Sequence, residues 1–135
     1  MRMGNRKEAA ASLTRLLQQA FSDRIELMAF WNLGTLNLEP FRPGIMSKAE
    51  IGYNLIMVCM QIEPGKEDTG HKHSFDQCGI VLEGQIEMFI GQEHLVLTAN
   101  DCYFIPSGKR HGWKTFDKPV KLLDVSTKSM SSAGW

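Results

Sequence analysis

From residue 54 onward the chain is a succession of short apolar runs, each stopped by a turn signal. NLIMVCMQI precedes Pro64 and Gly65, QCGIVL precedes Glu83 and Gly84, QIEMFI precedes Gly91, and HLVLT precedes Asn100 and Asp101. CYFI then meets Pro106, GWKTF meets Asp117, and VKLLDVS closes the series. Short strands at regular spacing predict an all-β fold, an antiparallel barrel or sandwich rather than a parallel sheet with crossover helices. The length of 135 residues suits one domain whose core needs neither disulfides nor a structural metal. Tyr53, Tyr103, Phe104 and Trp113, with Met57, Met60 and Met88, are assigned to that core.

The first forty residues read differently. KEAAASLTRLLQQAF, residues 7–21, is rich in strong helix formers and returns Leu13, Leu16, Leu17, Ala20 and Phe21 at steps of three and four. It predicts one amphipathic N-terminal α-helix, its apolar stripe packed on the barrel or on a partner subunit. Residues 25–38 mix short apolar and aromatic runs and read as an edge strand or a passage from helix to strand. The apolar surface around Trp31 is expected to cover a subunit interface, making the protein a homodimer. PFRPG, residues 40–44, reads as a turn because two prolines and a glycine oppose regular structure. The expected division is therefore 1–40 for helix and edge segment packed on the barrel, 41–128 for the barrel, and 129–135 for a frayed tail.

Charge and cysteine usage narrow the partners. Fifteen Lys and Arg cancel fifteen Asp and Glu, and no basic run exceeds two residues, so there is no footprint for nucleic acid or an acidic membrane surface. A small-molecule partner is expected. Cys59, Cys78 and Cys102 are odd in number and form no C-x-x-C pair, which excludes a disulfide framework and a cysteine zinc site and fits a reducing cytoplasm. No apolar run is long enough for a signal peptide or a membrane span.

Chemistry concentrates in GKEDTGHKHSFDQCGIVLEG, residues 65–84. On an extended segment His71 and His73 point to one face, and Gln77, an even number further on, joins them. A fourth donor, His111, ends PSGKRH, where a Pro-containing tight turn re-aims the chain. Three imidazoles and a carboxamide oxygen are neutral ligands of intermediate hardness, suited to a divalent transition metal (Zn, Ni, Fe, Co or Mn) rather than to calcium or copper(I). His94, beside the turn at Gly91, is read as an ordinary satisfied polar residue. Lys109 and Arg110 read as a solvated turn that can meet an anionic substrate at the mouth.

These two stretches resemble the signature motifs of the cupins. Gly65, five residues, His71-x-His73, three residues, Gln77, six residues and Gly84 match the first; Asn100, five residues, Pro106-x-Gly108, two residues and His111 match the second. Gln77 stands where Glu is commoner, Asn100 where Gly opens the second motif, and Thr115 where Asn closes it. Asn100 tolerates the left-handed backbone that a turn glycine would supply. The resemblance implies a single cupin (RmlC-like) jelly-roll β-barrel. Within the cupins the chain is most similar to small single-barrel proteins of pectin and alginate breakdown that convert unsaturated uronates to their linear keto form. Pro43-Gly44, H-x-H-x3-Q with VLEG at 81–84, YFIPSGKRHGW and LLDV at 122–125 carry that likeness. Asp124 matches the acid of that group's last strand, Ser126 occupies its aromatic place, Met130 falls where an Arg would be, and Lys128 is a candidate substitute.

A site with Gln77 in place of Glu leaves a divalent ion its full formal charge, which favours Lewis-acid chemistry over the high-valent states that anionic ligands stabilise. The leading expectation is an enzyme of proton-transfer or hydration type on a small polar carbonyl or sugar-acid substrate, an isomerase or lyase in class. Asp124, near the end of the final strand, is the candidate acid/base. Two other uses of the architecture stand beside it. A non-haem metal dioxygenase would consume oxygen, and a non-catalytic small-molecule-binding module would bind metal without turnover.

Overall fold

The computed structural model describes residues 28–128. The helix expected over 7–21 and the tail from Ser129 lie outside the described residues. Of these, residues 28–31 belong to a separate unit from the rest. From Asn32 onward the described residues contain ten strands and no helix.

Six strands form one antiparallel sheet in the order β1 (Glu39–Arg42), β2 (Ile45–Ile51), β3 (Leu55–Ile62), β10 (Val120–Thr127), β5 (Gln77–Glu83) and β8 (Cys102–Ile105). The other four, β4 (Glu67–His71), β9 (His111–Thr115), β6 (Ile86–Ile90) and β7 (Glu93–Leu97), form the second sheet. Side chains from both sheets meet in one core: Ile45, Val58, Ile62, Val81, Val120 and Leu122 from the larger, Ile86, Met88 and Leu97 from the smaller. This is the jelly-roll barrel that the strand pattern and motif spacing predict.

The period-two rule can be read along β10. Val120, Leu122, Asp124 and Ser126 are buried, while Lys121, Leu123, Val125 and Thr127 face outward. Two of the four inward residues are polar, which is unusual for a strand paired on both edges and marks where the core gives way to a site.

Three strands lie outside the runs marked in the sequence. β2, IMSKAEI, buries Ile45 but carries small Ser47 and Ala49 on its inner face, so it lacks a strong apolar alternation. β4, EDTGH, is polar because it serves the site rather than the core. β1 corrects the reading of residues 40–44 as a turn: only Pro43 and Gly44 turn, and Pro40 sits within an edge strand, where a missing N–H costs no ladder bond. The segment before β1 is not an edge strand in its described part. Asn32 instead caps a turn, its side chain accepting from Gly34 N at 2.9 Å, and Lys121 Nζ donates to Leu33 O at 2.8 Å. Two aromatics assigned to the core are on the surface, Tyr53 at 91% exposure and Phe104 at 60%, because one lies in the β2–β3 turn and the other on the outer face of β8. Met60, Met88 and Tyr103 are buried as expected, and Met57 and Trp113 are half-buried.

Turn glycines at Gly65, Gly84 and Gly108 hold φ of 71°, 88° and 82°, and Asn100 substitutes for a fourth at 78°. They are not equivalent. A Cβ at Gly84 would lie 2.4 Å from the backbone oxygen of Pro119, whereas one at Gly65 would meet nothing within 4 Å. Gly65→Ala is expected to cost only the left-handed strain, about 1 kcal/mol. Gly84→Ala adds a clash with backbone that cannot rotate away and should cost roughly 3 kcal/mol or more. Urea denaturation midpoints of the two variants check the difference.

Candidate metal centre

His71 and His111 are direct cross-strand partners, β4 against β9, so both side chains project from one face into the barrel. The ladder shifts register between Asp68 and His71. Three residues on β4 thus span two on β9, and Asp68, which a regular strand would turn away from His71, shares its face. The bulge contains Gly70, whose φ of 136° side chains rarely adopt and beside which the Arg110 guanidinium packs. Asp68 accepts from Gly70 N at 2.9 Å and from His71 Nδ1 at 3.1 Å.

His73 reaches the same point by a different route from strand alternation. β4 ends at His71, residues 72–76 form a loop, and Gln77 opens β5 in the opposite sheet. Gly108 N donates to His73 O at 2.7 Å, Ser107 N to Asp76 Oδ1 at 2.9 Å, and Asp76 N to Thr127 Oγ1 at 3.2 Å. The loop is therefore pinned on both sides, and the His73 ring stacks on Phe75 with centroids 4.3 Å apart. The expectation of one extended face is corrected here: the donors converge because two sheets and a loop face each other.

The ring nitrogens are sorted by their partners. His71 Nδ1 donates to a carboxylate and His111 Nδ1 donates to Lys109 O at 3.0 Å, so each presents Nε2 to the interior. His71 Nε2 and His73 Nε2 stand 3.2 Å apart, a separation that needs a proton or a cation between two lone pairs. Ligand atoms of all three histidines lie within 4.8 Å of one another.

Gln77 is held by a buried hydrogen-bond set. Asp124, 3% exposed, accepts from Gln77 Nε2 at 3.0 Å through Oδ2 and from the Tyr103 hydroxyl through Oδ1. Tyr103 on β8 and Asp124 on β10 are both cross-strand partners of Gly79 on β5. A Cβ at Gly79 would lie 2.3 Å from Asp124 Oδ1 and 2.4 Å from the Tyr103 hydroxyl, so the glycine is the space through which they meet. With its nitrogen committed to a carboxylate, the amide leaves Oε1 buried and without a hydrogen-bond partner. An orphaned carboxamide oxygen in a cavity also lined by three clustered imidazoles fits a divalent transition metal by the chemistry of its donors.

Burial sets the electrostatics. Desolvation, with the neighbouring His71 and His111, lowers His73 to about 4 despite Asp68. His111 is lowered chiefly by desolvation, against its bond to Lys109 O. Burial opposes ionisation of Asp68, but bonds from Gly70 N and His71 hold it below the ordinary carboxylate range. Asp124 is raised by desolvation to about 6 in spite of both donors, and burial together with the Asp124 charge raises Tyr103 well above its usual value.

A cavity of about 50 Å³ is lined by His71, His73, Gln77, His111, Asp124 and Arg42 over an apolar floor of Met60, Ile62, Met88 and Leu122. All five candidate site residues thus come together. Asp68 and Tyr103 have no sequence motif of their own, although Asp68 could have been sought as the acid three residues before a histidine. Lys128 donates to Gly52 O, and Arg110 donates to Thr69 O and covers the Phe89 ring, so neither lines this cavity. His94 pairs with Glu87 at the surface, as an ordinary polar residue would. Cys59, Cys78 and Cys102 are free thiols.

Comparison with known proteins bears on the family and the fold. Residues 58–126 match the family described as the cupin domain. Over 73 residues the chain is 32% identical to the pectin degradation protein KdgF of Dickeya dadantii, a match spanning 53% of this chain and 66% of that protein's length. The structure of KdgF from Halomonas sp. superposes with a TM-score of 0.67 at 24% identity, covering 77% of this chain and 96% of the other. An RmlC-like cupin from Shewanella frigidimarina gives 0.66 at 23%, covering 77% and 94%. Those two structural likenesses speak for the fold alone.

Linkage makes the site visible in the stability of the metal-free protein. His73, lowered to about 4 from 6.5, is neutral in the fold; the unfolded chain binds the extra proton, so its contribution is lost as pH falls from 6.5 towards 4. Asp124, raised to about 6 from 3.8, acts oppositely, since the folded state binds the proton and stability falls as pH rises through that window. The two oppose one another, but His111, also lowered by burial, adds to the His73 effect, so the wild type is expected to lose some stability as pH falls through this window. Asp124→Asn removes the opposing contribution and should lose stability more steeply than the wild type as pH falls from 6 to 4. Denaturation midpoints at fixed pH test this; an Asp124→Asn profile no steeper than that of the wild type would refute it.

Proposed function

The chain belongs to the cupin family, and from that premise we propose that it is a metal-dependent enzyme of non-redox proton transfer on a small polar carbonyl or sugar-acid substrate. Linearisation of an unsaturated uronate is the specific reaction favoured, in keeping with the likeness to a pectin degradation protein. His71, His73, Gln77 and His111 hold a divalent transition metal. The observation that supports this most is the orphaned Gln77 Oε1 of a side chain that lines one cavity with three clustered histidines, a wholly neutral donor set. A divalent ion bound there keeps its full charge and polarises a substrate oxygen as a Lewis acid.

The chain's own residues do the rest. Asp124 lines the cavity and, raised to about 6, gains and loses a proton close to neutral pH. Each of its oxygens accepts one hydrogen bond and keeps a second lone pair with which to take a proton. Tyr103 and Gln77 hold the carboxylate in place, so it neither rotates nor hydrates between turnovers. The apolar floor excludes bulk water and strengthens these interactions. The exposed Phe30 and half-buried Trp31 leave apolar surface on the segment ahead of the barrel, which supports assembly as a homodimer.

His71→Ala and His111→Ala are expected to lose bound metal while remaining folded, as elemental analysis and circular dichroism would report. Turnover of an unsaturated uronate should survive anaerobic conditions and replacement of the metal by zinc. In Asp124→Asn it should fall by about a hundredfold or more at unchanged metal content. A requirement for oxygen together with failure of zinc would establish a dioxygenase instead, and metal binding without turnover a binding module. Light scattering at micromolar concentration is expected to report a dimer; a monomer would remove that part of the proposal.

A further inference from the structure

The first strand carries a second device aimed at the cavity. β1 pairs with β2 so that Pro40 lies opposite Met46, and an unbroken ladder would place Phe41 opposite Ile45. The register shifts between Pro40 and Arg42, and it is Arg42 that faces Ile45. Cross-strand partners share a face; Ile45 is 6% exposed in the core, whereas Met46 is 39% exposed on the outside. The extra residue therefore turns Arg42 to the cavity side and leaves Phe41 46% exposed. Arg42 then lines the same cavity as His71, His73, Gln77 and Asp124.

Arg42 is exposed, as all of β1 is, and its charge has no carboxylate partner among the described residues. Both ion pairs there join a histidine to a carboxylate, and the guanidinium lies 5.1 Å from the Phe41 ring. The two carboxylates lining the cavity are already engaged, Asp68 by His71 and Gly70, Asp124 by Tyr103 and Gln77. Among the described lining residues Arg42 alone is permanently cationic. A neutral substrate has no use for such a group. A carboxylate-bearing one gains a forked, charge-assisted pair that fixes which end of the molecule enters first.

We propose that Arg42 binds the carboxylate of the substrate, so that the site takes small organic acids in preference to their neutral counterparts. This rests on the reading of the cavity as a substrate site. Arg42 would hold the acid at the mouth, leaving the remaining oxygen functions to reach the donors at Gln77 and the histidines.

The test compares zinc-loaded wild type with Arg42→Gln and Arg42→Lys by calorimetry, using two pairs of probes: galacturonate against galactose, and pyruvate against pyruvamide. The wild type is expected to prefer the acid in at least one pair. Arg42→Gln should weaken that acid by about tenfold or more and leave the neutral partner unchanged. Arg42→Lys, which keeps the charge without the fork, should fall between. Zinc content and melting temperature of both variants should match the wild type, separating a binding role from a structural one. The inference is overturned if the wild type shows no preference in either pair, or if Arg42→Gln retains it. The functional proposal fails separately, when the wild type binds the acid in an Arg42-dependent way but turns over no uronate.

Discussion

The buried carboxylate of Asp124 is the group around which the barrel is arranged. An ionised carboxyl at 3% exposure in an apolar core survives only if donors replace its water. They come from two other strands, Tyr103 from β8 and Gln77 from β5, and they reach it because Gly79 on β5 has no side chain in between. A glycine inside a strand weakens it, and here the loss is offset by a hydrogen-bond set that joins three neighbouring strands. The same set decides which way the Gln77 amide faces. A carboxylate can only accept, so the nitrogen turns towards Asp124 and the oxygen is left for the cavity.

On the opposite sheet the histidines are prepared by the same logic. Asp68 and the Lys109 carbonyl each accept a hydrogen bond from the Nδ1–H of one imidazole, which leaves its Nε2 unprotonated. Burial then keeps His73 and His111 neutral, the form in which imidazole binds a metal. Two of the three imidazoles and the Gln77 amide are thus oriented by hydrogen bonds within the protein itself.

Two departures from strand regularity do what alternation cannot. A pleated strand offers every second residue to one face, so a given pair of side chains three apart never shares it. The bulge in β4 brings Asp68 and His71 together, and the bulge in β1 exchanges Phe41 for Arg42 on the inner face. Both lie beside the cavity, where re-aiming one side chain changes the chemistry on offer while the rest of the sheet remains paired.

How much of this could be read from the residues follows from the range of the forces involved. Strands β3 and β5 to β10 were visible because each is a local run of apolar residues ended by a local turn signal. Gly84 and Asn100 were visible because a left-handed backbone selects few residue types. His71, His73, Gln77 and His111 were visible as a spaced motif, and they do line one cavity, although the reason offered for their convergence, one extended face, was not the way the chain achieves it. β1, β2 and β4 were hidden because their inner faces carry small, polar or bulged positions. Asp68, Tyr103 and Arg42 acquired their places only through pairing between strands distant in sequence, where one added residue reverses a side chain's direction. Local composition determined which segments are strands; register, a property of two strands at once, decided what they point at.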